Sequence, residues 1–304
     1  MLRTISYKDT GPTLISTAFL PAAMPVGLVG ILALLLVAFL AGIAGAFLGI
    51  GGGILIVPFI TLGLGVDQKI ATAVSIVAVI ATSSGAASIY VRDRMTNLRL
   101  GMWLEISTTI GAVLAALLVL YASSNLLAIL FAVAVLYAAY SMVGVHEWAR
   151  DDKTSTSVRG LAAKLHLRNT YRDEDGVHEY GVERPATGLA ASAVAGTVSG
   201  MLGVGGGIIQ VPVMNLIMRV PIRAAVATSN FMIGVTGAAS AFVYYFGGLM
   251  DPGMAGTVVL GVSGGTLLGT RLMRRTPPKQ IRLAFAAFLA VIGVLMALRG
   301  LKVF

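Results

Sequence analysis

Long apolar runs, each broken by few polar positions, recur at roughly 26–48, 54–64, 69–91, 100–121, 126–145, 187–203, 207–218, 224–246, 254–271 and 280–298. A helix needs about 20 residues to cross a bilayer, and most of these runs reach or approach that length. Two of them, 54–64 and 207–218, are too short to span, and each follows a glycine cluster. Between the fifth and sixth runs lies 146–186, a polar segment with seven Lys/Arg and eight Asp/Glu. The pattern predicts an all-α polytopic membrane protein in four parts: an N-terminal arm 1–25, a first transmembrane repeat 26–145, a cytoplasmic polar linker 146–186 and a second transmembrane repeat 187–304. In the arm, Arg3 and Lys8 precede a weakly apolar run, Leu14–Met24, that Pro21 interrupts. An extramembrane arm fits this better than a cleaved signal. Val158, Leu161 and Leu165 predict a short interfacial helix within the linker, which otherwise tethers the halves.

The halves align without a gap at an offset of 154: GIAGAFLGIGGGILIVP at 42–58 faces GTVSGMLGVGGGIIQVP at 196–212. The register continues through Val66/Val220, Ala71/Ala225, Ser75/Ser229, Thr82/Thr236, Tyr90/Tyr244 and Gly111/Gly265. A glycine register held this long reads as duplication. Loop 92–99 is basic while its counterpart 246–253 has no Lys or Arg, and 122–125 has none while 276–279 lies in a basic cluster. Homologous loops therefore prefer opposite membrane faces. The expected architecture is two inverted-topology repeats of about five helical segments each, with glycine-broken or re-entrant short helices near the midplane.

Composition sharpens this picture. Hydrophobic residues make up 57% of the 304-residue chain and charged residues 12%, about half the charge of a soluble domain; the mean hydropathy is +0.89. The formal charge of +9 would suit nucleic acid if it were clustered without topology. Instead, 17 of the 22 basic residues fall in or beside loop 92–99, the linker, the connection after 218 and the connection 272–279. If those regions are cytoplasmic, this is a positive-inside signal. It predicts a multi-pass protein of a bacterial-type inner (plasma) membrane, with the central loop cytoplasmic, the lipid bilayer as partner and no nucleic acid. With no cysteine, and with His146, His166 and His178 all in the linker, no metal site or other cofactor is expected. Sequence leaves a homo-oligomer open.

Three features carry candidate chemistry. GxGGG inside an apolar run is costly in a helix, at about 1 kcal/mol per glycine, and a broken backbone must face protein or water rather than lipid. The short helices after Gly51, Gly52 and Gly53 and after Gly205, Gly206 and Gly207 would point N-terminal N–H groups at a shared anion site. Lone glycines such as Gly111 and Gly265 read as helix packing. Ser75, Thr228, Ser229, Asn230 and Gln210 are the candidate polar contacts; Gln210 has only Ile56 as its counterpart. Glu105, the single acidic residue within the spans, is a candidate for proton coupling.

The paired motifs GIGGGILIVP (49–58) and GVGGGIIQVP (203–212), each followed by an Ala-rich stretch ending in Ser (ATAVS at 71–75, AVATS at 225–229), resemble the sulfite exporter TauE/SafE family, also grouped as toluene-sulfonate uptake permeases. The resemblance covers about 42–118 and 196–298. It implies a secondary carrier for sulfite, sulfonates, sulfoacetate or related organic anions. The first copy has Val74-Ser75 where the second has Thr228-Ser229. The expected activity is thus transport of a small sulfur-containing or organic anion by alternating access, without enzymatic chemistry. A passive anion channel and an accessory membrane subunit remain the alternatives at this level.

Overall fold

The computed structural model describes residues 27–48, 51–148, 161–173, 176–275 and 279–302. The N-terminal arm and Val158 lie outside them. The order is α1 (Leu28–Leu48), α2 (Gly53–Pro58), α3 (Gln68–Arg92), α4 (Leu98–Tyr121), α5 (Ser124–Trp148), α6 (Leu161–Lys164), β1 (Asn169–Asp173), β2 (Gly176–Tyr180), α7 (Pro185–Leu202), α8 (Gly207–Pro212), α9 (Ile222–Phe246), α10 (Pro252–Arg275) and α11 (Lys279–Gly300). Among the described residues, six of these (α1, α3, α4, α5, α9 and α10) contain stretches long and apolar enough to cross a bilayer. The chain is an all-α polytopic membrane protein carrying one small hairpin.

The helix limits follow from local chemistry. Asp67 caps α3 by accepting from the Lys69 N–H (2.8 Å), and Asn97 caps α4 by accepting from the Leu100 N–H (3.1 Å), each satisfying an orphan donor of the first turn. Pro185 and Pro252 open α7 and α10, where a missing N–H costs nothing. In the two short helices proline does the opposite. Pro58 and Pro212 end regular α-helix, because the ring removes an i→i−4 bond, and the chain continues through the wider π turns Phe59–Gly63 and Val213–Ile217.

Outer faces are apolar. Met102, Ile106, Ile110, Leu114 and Leu118 recur every four residues along α4, each more than half exposed. So continuous an apolar stripe belongs against lipid. Inner faces are closed by small residues. A Cβ on Gly111 would come within 2.4 Å of the Ala193 carbonyl oxygen, and one on Gly265 within 2.0 Å of that of Phe39. Both glycines therefore serve close helix packing, α4 on α7 and α1 on α10.

The limits of α2, its π turn, α3 and α4 recur 154 residues later in α8, its π turn, α9 and α10. Contacts recur too. The Tyr90 hydroxyl donates to the Ala46 carbonyl (3.0 Å) and that of Tyr244 to Gly200. At one end of the bundle Ser124 donates to Asp67 (2.7 Å) and the Lys69 ammonium to the Leu120 carbonyl (3.1 Å). At the other, the Asn97 N–H donates to Thr228 (3.0 Å) and the Glu183 N–H to the Met218 carbonyl (3.0 Å). Loops 64–67 and 218–221, related by the shift, thus sit at opposite ends.

Within the described part of the linker, the single turn α6 lies where a short helix is expected. An antiparallel hairpin that the sequence does not reveal follows it, pairing Asn169 with Tyr180 and Tyr171 with His178. Stacking of Tyr171 on His178 (5.2 Å between centroids) supports the pairing. Ala162, Leu167, Tyr180 and Val182 are buried with residues of α4, α9 and the α8 region. A strand of five residues is too short for its alternation to stand out in sequence.

Candidate functional site

Both glycine clusters break the helix by leaving right-handed backbone. Gly51 (φ 85°), Gly52 (φ 69°), Gly203 (φ 67°) and Gly205 (φ 74°) occupy the left-handed region, which disfavours any side chain. Gly206, the counterpart of Gly52, is instead right-handed at φ −66°. Gly53 and Gly207 begin the short helices. The two breaks touch: a Cβ on Gly53 would lie 2.1 Å from the Gly203 carbonyl oxygen and 2.6 Å from the Ser75 hydroxyl. The Gly53 N–H itself turns back to the Gly51 carbonyl at 2.8 Å.

The structure sorts the polar candidates into different roles. Ser75 donates to the Gly203 carbonyl at 2.6 Å, with Gly53 at 3.3 Å, so it braces one break against the other. Ser229, its counterpart, is fully buried and its hydroxyl has no hydrogen-bond partner. Asn230 donates to the Val226 carbonyl of its own helix (3.0 Å), leaving Oδ1 buried and unpartnered. Gln210 donates to the Thr108 hydroxyl (3.1 Å), leaving Oε1 unpartnered. Thr228 turns aside to accept the Asn97 N–H. Thr72 and Ser83 add two more buried, unpartnered hydroxyls, beside Gly203 and Gly51 respectively.

Glu105 lies on α4. Its Oε1 accepts from Thr236 on α9 (2.6 Å) and from Thr109 on its own helix (2.8 Å), while Oε2 is buried without a partner. Among the described residues there is no group of three or more His, Cys, Asp or Glu to hold a metal ion. Two contributors escaped the sequence reading. Thr108 lies three residues after Glu105, hence on the same helix face. Asn97 directly precedes the apolar run of α4, which is the signature of a cap.

The chain is similar to known membrane proteins over most of its length. The family described as Sulfite exporter TauE/SafE matches residues 34–296. The chain belongs to this family. It is 25% identical over 275 residues to the probable membrane transporter protein YunE of Bacillus subtilis, covering 88% of this chain and 97% of YunE. It is 24% identical over 280 residues to the probable membrane transporter protein MJ0441 of Methanocaldococcus jannaschii, covering 87% and 94%. A probable membrane transporter protein MamO of Paramagnetospirillum magneticum is 26% identical over 287 residues, 88% of this chain but 44% of MamO. No solved structure matches. Like its TauE/SafE relatives, the chain is a multi-pass membrane transporter and not an enzyme.

Proposed function

We propose that this TauE/SafE protein is a secondary transporter that carries a small sulfur-containing or organic anion, such as sulfite, a sulfonate or sulfoacetate, by alternating access. One observation carries the reading. Helices α3, α8 and α9 carry buried polar groups without partners, on Thr72, Ser83, Gln210, Ser229 and Asn230, with Thr72 beside Gly203 and Ser83 beside Gly51. Leaving such groups unsatisfied costs roughly 1–3 kcal/mol each, a cost that a bound ligand removes. The free hydroxyls of Thr72, Ser83 and Ser229 can donate to an anion, while Oε1 of Gln210 and Oδ1 of Asn230 only accept, as from a hydroxyl or acid O–H on the ligand. Gly51–Gly53 and Gly205–Gly207 frame the site; Ser75 and Thr228 hold its walls.

The chain divides for this purpose into the arm 1–25, the repeats 26–145 and 187–304, and the linker 146–186. The repeats act as an inverted pair, consistent with shift-related loops at opposite ends and with the distribution of basic residues. On that reading the linker is cytoplasmic and the protein resides in an inner membrane of bacterial type.

Purified protein in proteoliposomes, loaded with unlabelled sulfite, isethionate or sulfoacetate, is expected to show trans-stimulated entry of the labelled anion. A large unitary conductance without trans-stimulation would make it a channel. Neither flux nor binding for any of the three would leave it an accessory subunit and overturn the reading.

A further inference from the structure

We infer that Glu105 and the hydroxyls around it form a proton-binding site, present in only one of the two repeats, that couples anion movement to proton movement. This rests on the carrier reading above and names its second substrate.

The geometry is that of a carboxyl group prepared to exist in both protonation states. Two hydroxyls, Thr236 at 2.6 Å and Thr109 at 2.8 Å, donate to Oε1. Both donors are thus on one oxygen, while Oε2 is buried and bare. A hydroxyl partner tolerates either state, since it donates to a carboxylate and equally accepts from a carboxylic acid. A fixed cation would hold the group ionised, and among the described residues none faces it. Helix α7 and the α8 region through Ile217 contain no titratable side chain. On α9 the charged residue is Arg223, exposed near the helix start, and Tyr244 and Tyr245 lie at its far end. On α4 itself Arg99 is exposed and donates to the His166 carbonyl (3.2 Å), and Tyr121 closes the opposite end.

The site is also connected to the glycine break. One turn beyond Glu105, Thr108 accepts from Gln210, three residues into the helix that starts at Gly207. A change at Glu105 is therefore one helical turn from a side chain of the anion site.

Duplication supplies an internal control. The 154-residue shift carries Glu105, Thr108 and Gln210 onto Val259, Val262 and Ile56. Thr236 maps to Thr82, whose hydroxyl returns to the Ala78 carbonyl of its own helix (2.8 Å). The scaffold offers the position twice and fills it with an acid once. That fixes the stoichiometry at one proton per cycle. The carboxylate takes a proton from one side of the membrane, the protonated carrier reorients with its anion, and the carboxyl group releases the proton to the other side. A monoanion then crosses with no net charge.

The test uses full-length protein in proteoliposomes with labelled isethionate, a monoanion whose sulfonate does not titrate near neutrality, and sulfoacetate in parallel. An imposed gradient of one pH unit is expected to drive about tenfold accumulation of isethionate in the wild type, the limit for one-to-one coupling. Glu105→Gln should lose that accumulation and show exchange that no longer varies with pH. Ser263→Ala, at the counterpart of Thr109, should keep the tenfold response. Thr236→Val provides a second reading if Glu105→Gln fails to insert, because loss of the Oε1 donor should shift the pH midpoint of exchange. In the purified wild type, infrared difference spectra should show a carboxylic acid C=O band that responds to isethionate and moves in Thr236→Val. Wild-type exchange without proton-driven accumulation, or accumulation in Glu105→Gln equal to wild type, overturns the proton site and leaves the carrier standing. Absence of exchange for both probes in the wild type overturns the carrier reading instead.

Discussion

The two glycine breaks share a backbone plan and differ in what lines it. In the first copy Ile56, Ile76 and Val79 stand where the second has Gln210, Asn230 and Ile233, and Ser75 spends its hydrogen on the facing break while Ser229 keeps a free hydroxyl. Each copy thus carries polar groups the other lacks, Thr72 and Ser83 in the first against Val226 and Gly237, and Gln210 and Asn230 in the second. Both copies keep a left-handed glycine, Gly51 and Gly205, and a proline five residues beyond the short helix's start, while the polar side chains around them differ. Residues common to both copies should govern stability, and residues present in one should govern transport.

The largest effect is expected where the copies touch. Gly53→Ala places a methyl group 2.1 Å from the Gly203 carbonyl oxygen, which neither backbone can relieve without moving. Overpacking of this kind costs roughly 1–3 kcal/mol and occasionally more, so thermal unfolding in detergent should fall sharply and transport should be lost. The equivalent pair Gly52 and Gly206 refines the point. A Cβ at either would meet a carbonyl of the preceding long helix, Ala41 at 2.9 Å or Ala195 at 3.0 Å. Only Gly52 is left-handed, which adds about 1–2 kcal/mol for an L side chain. Gly52→Ala should therefore lower the unfolding temperature more than Gly206→Ala. Equal losses would show that the two breaks relax to one conformation in solution.

The next comparison concerns the linker, whose hairpin packs on α4, α9 and the α8 region. Burial pushes the Tyr180 hydroxyl up to about 12, only partly offset by the amide side chains of Asn97 and Asn169. An acid whose folded value is raised stabilises fully below its ordinary value near 10, and that contribution declines as pH rises through the window from 10 to 12. The gap corresponds to about 3 kcal/mol. Limited proteolysis of the hairpin should accelerate across that window, and Tyr180→Phe should remove the acceleration. A hairpin equally resistant at pH 9 and pH 11.5 would mean that Tyr180 leaves its pocket without disturbing the linker.

How much of this the sequence disclosed depends on the range over which each signal acts. The spans, the short helices and the 154-residue register were legible because hydropathy and glycine spacing are properties of the chain itself. The packing role of Gly111 and Gly265 was legible as well. Hydrogen-bond roles were not. Ser75 and Ser229 occupy the same place in the repeat, and only the approach of Gly203 to α3 makes one a brace. Thr228, Ser229 and Asn230 read as one polar cluster, yet consecutive helical positions face different directions, about 100° apart, and Thr228 meets the Asn97 N–H instead. The hairpin was hidden for a related reason, since its stability comes from Tyr180 sinking among residues of other elements.

The smallest expected change in stability is also the most discriminating. Asn230 already bonds its own helix through Nδ2, and its Oδ1 is buried with no partner, at a position where the first copy carries a fully buried Ile76. Removing an unsatisfied polar atom relieves a cost instead of creating one. Asn230→Ala should therefore unfold within about 1 kcal/mol of the wild type, the loss of packing being set against the relieved desolvation. Oδ1 can only accept a hydrogen bond, so on the carrier reading it fits the hydroxyl of isethionate. The same substitution should weaken isethionate binding by roughly fivefold, the worth of one neutral hydrogen bond, while sulfoacetate binding changes little. Thermal-shift titration of both proteins reads stability and affinity in one experiment. A large drop in unfolding temperature with unchanged anion response would make Asn230 part of the common scaffold and end the division of labour between the two copies.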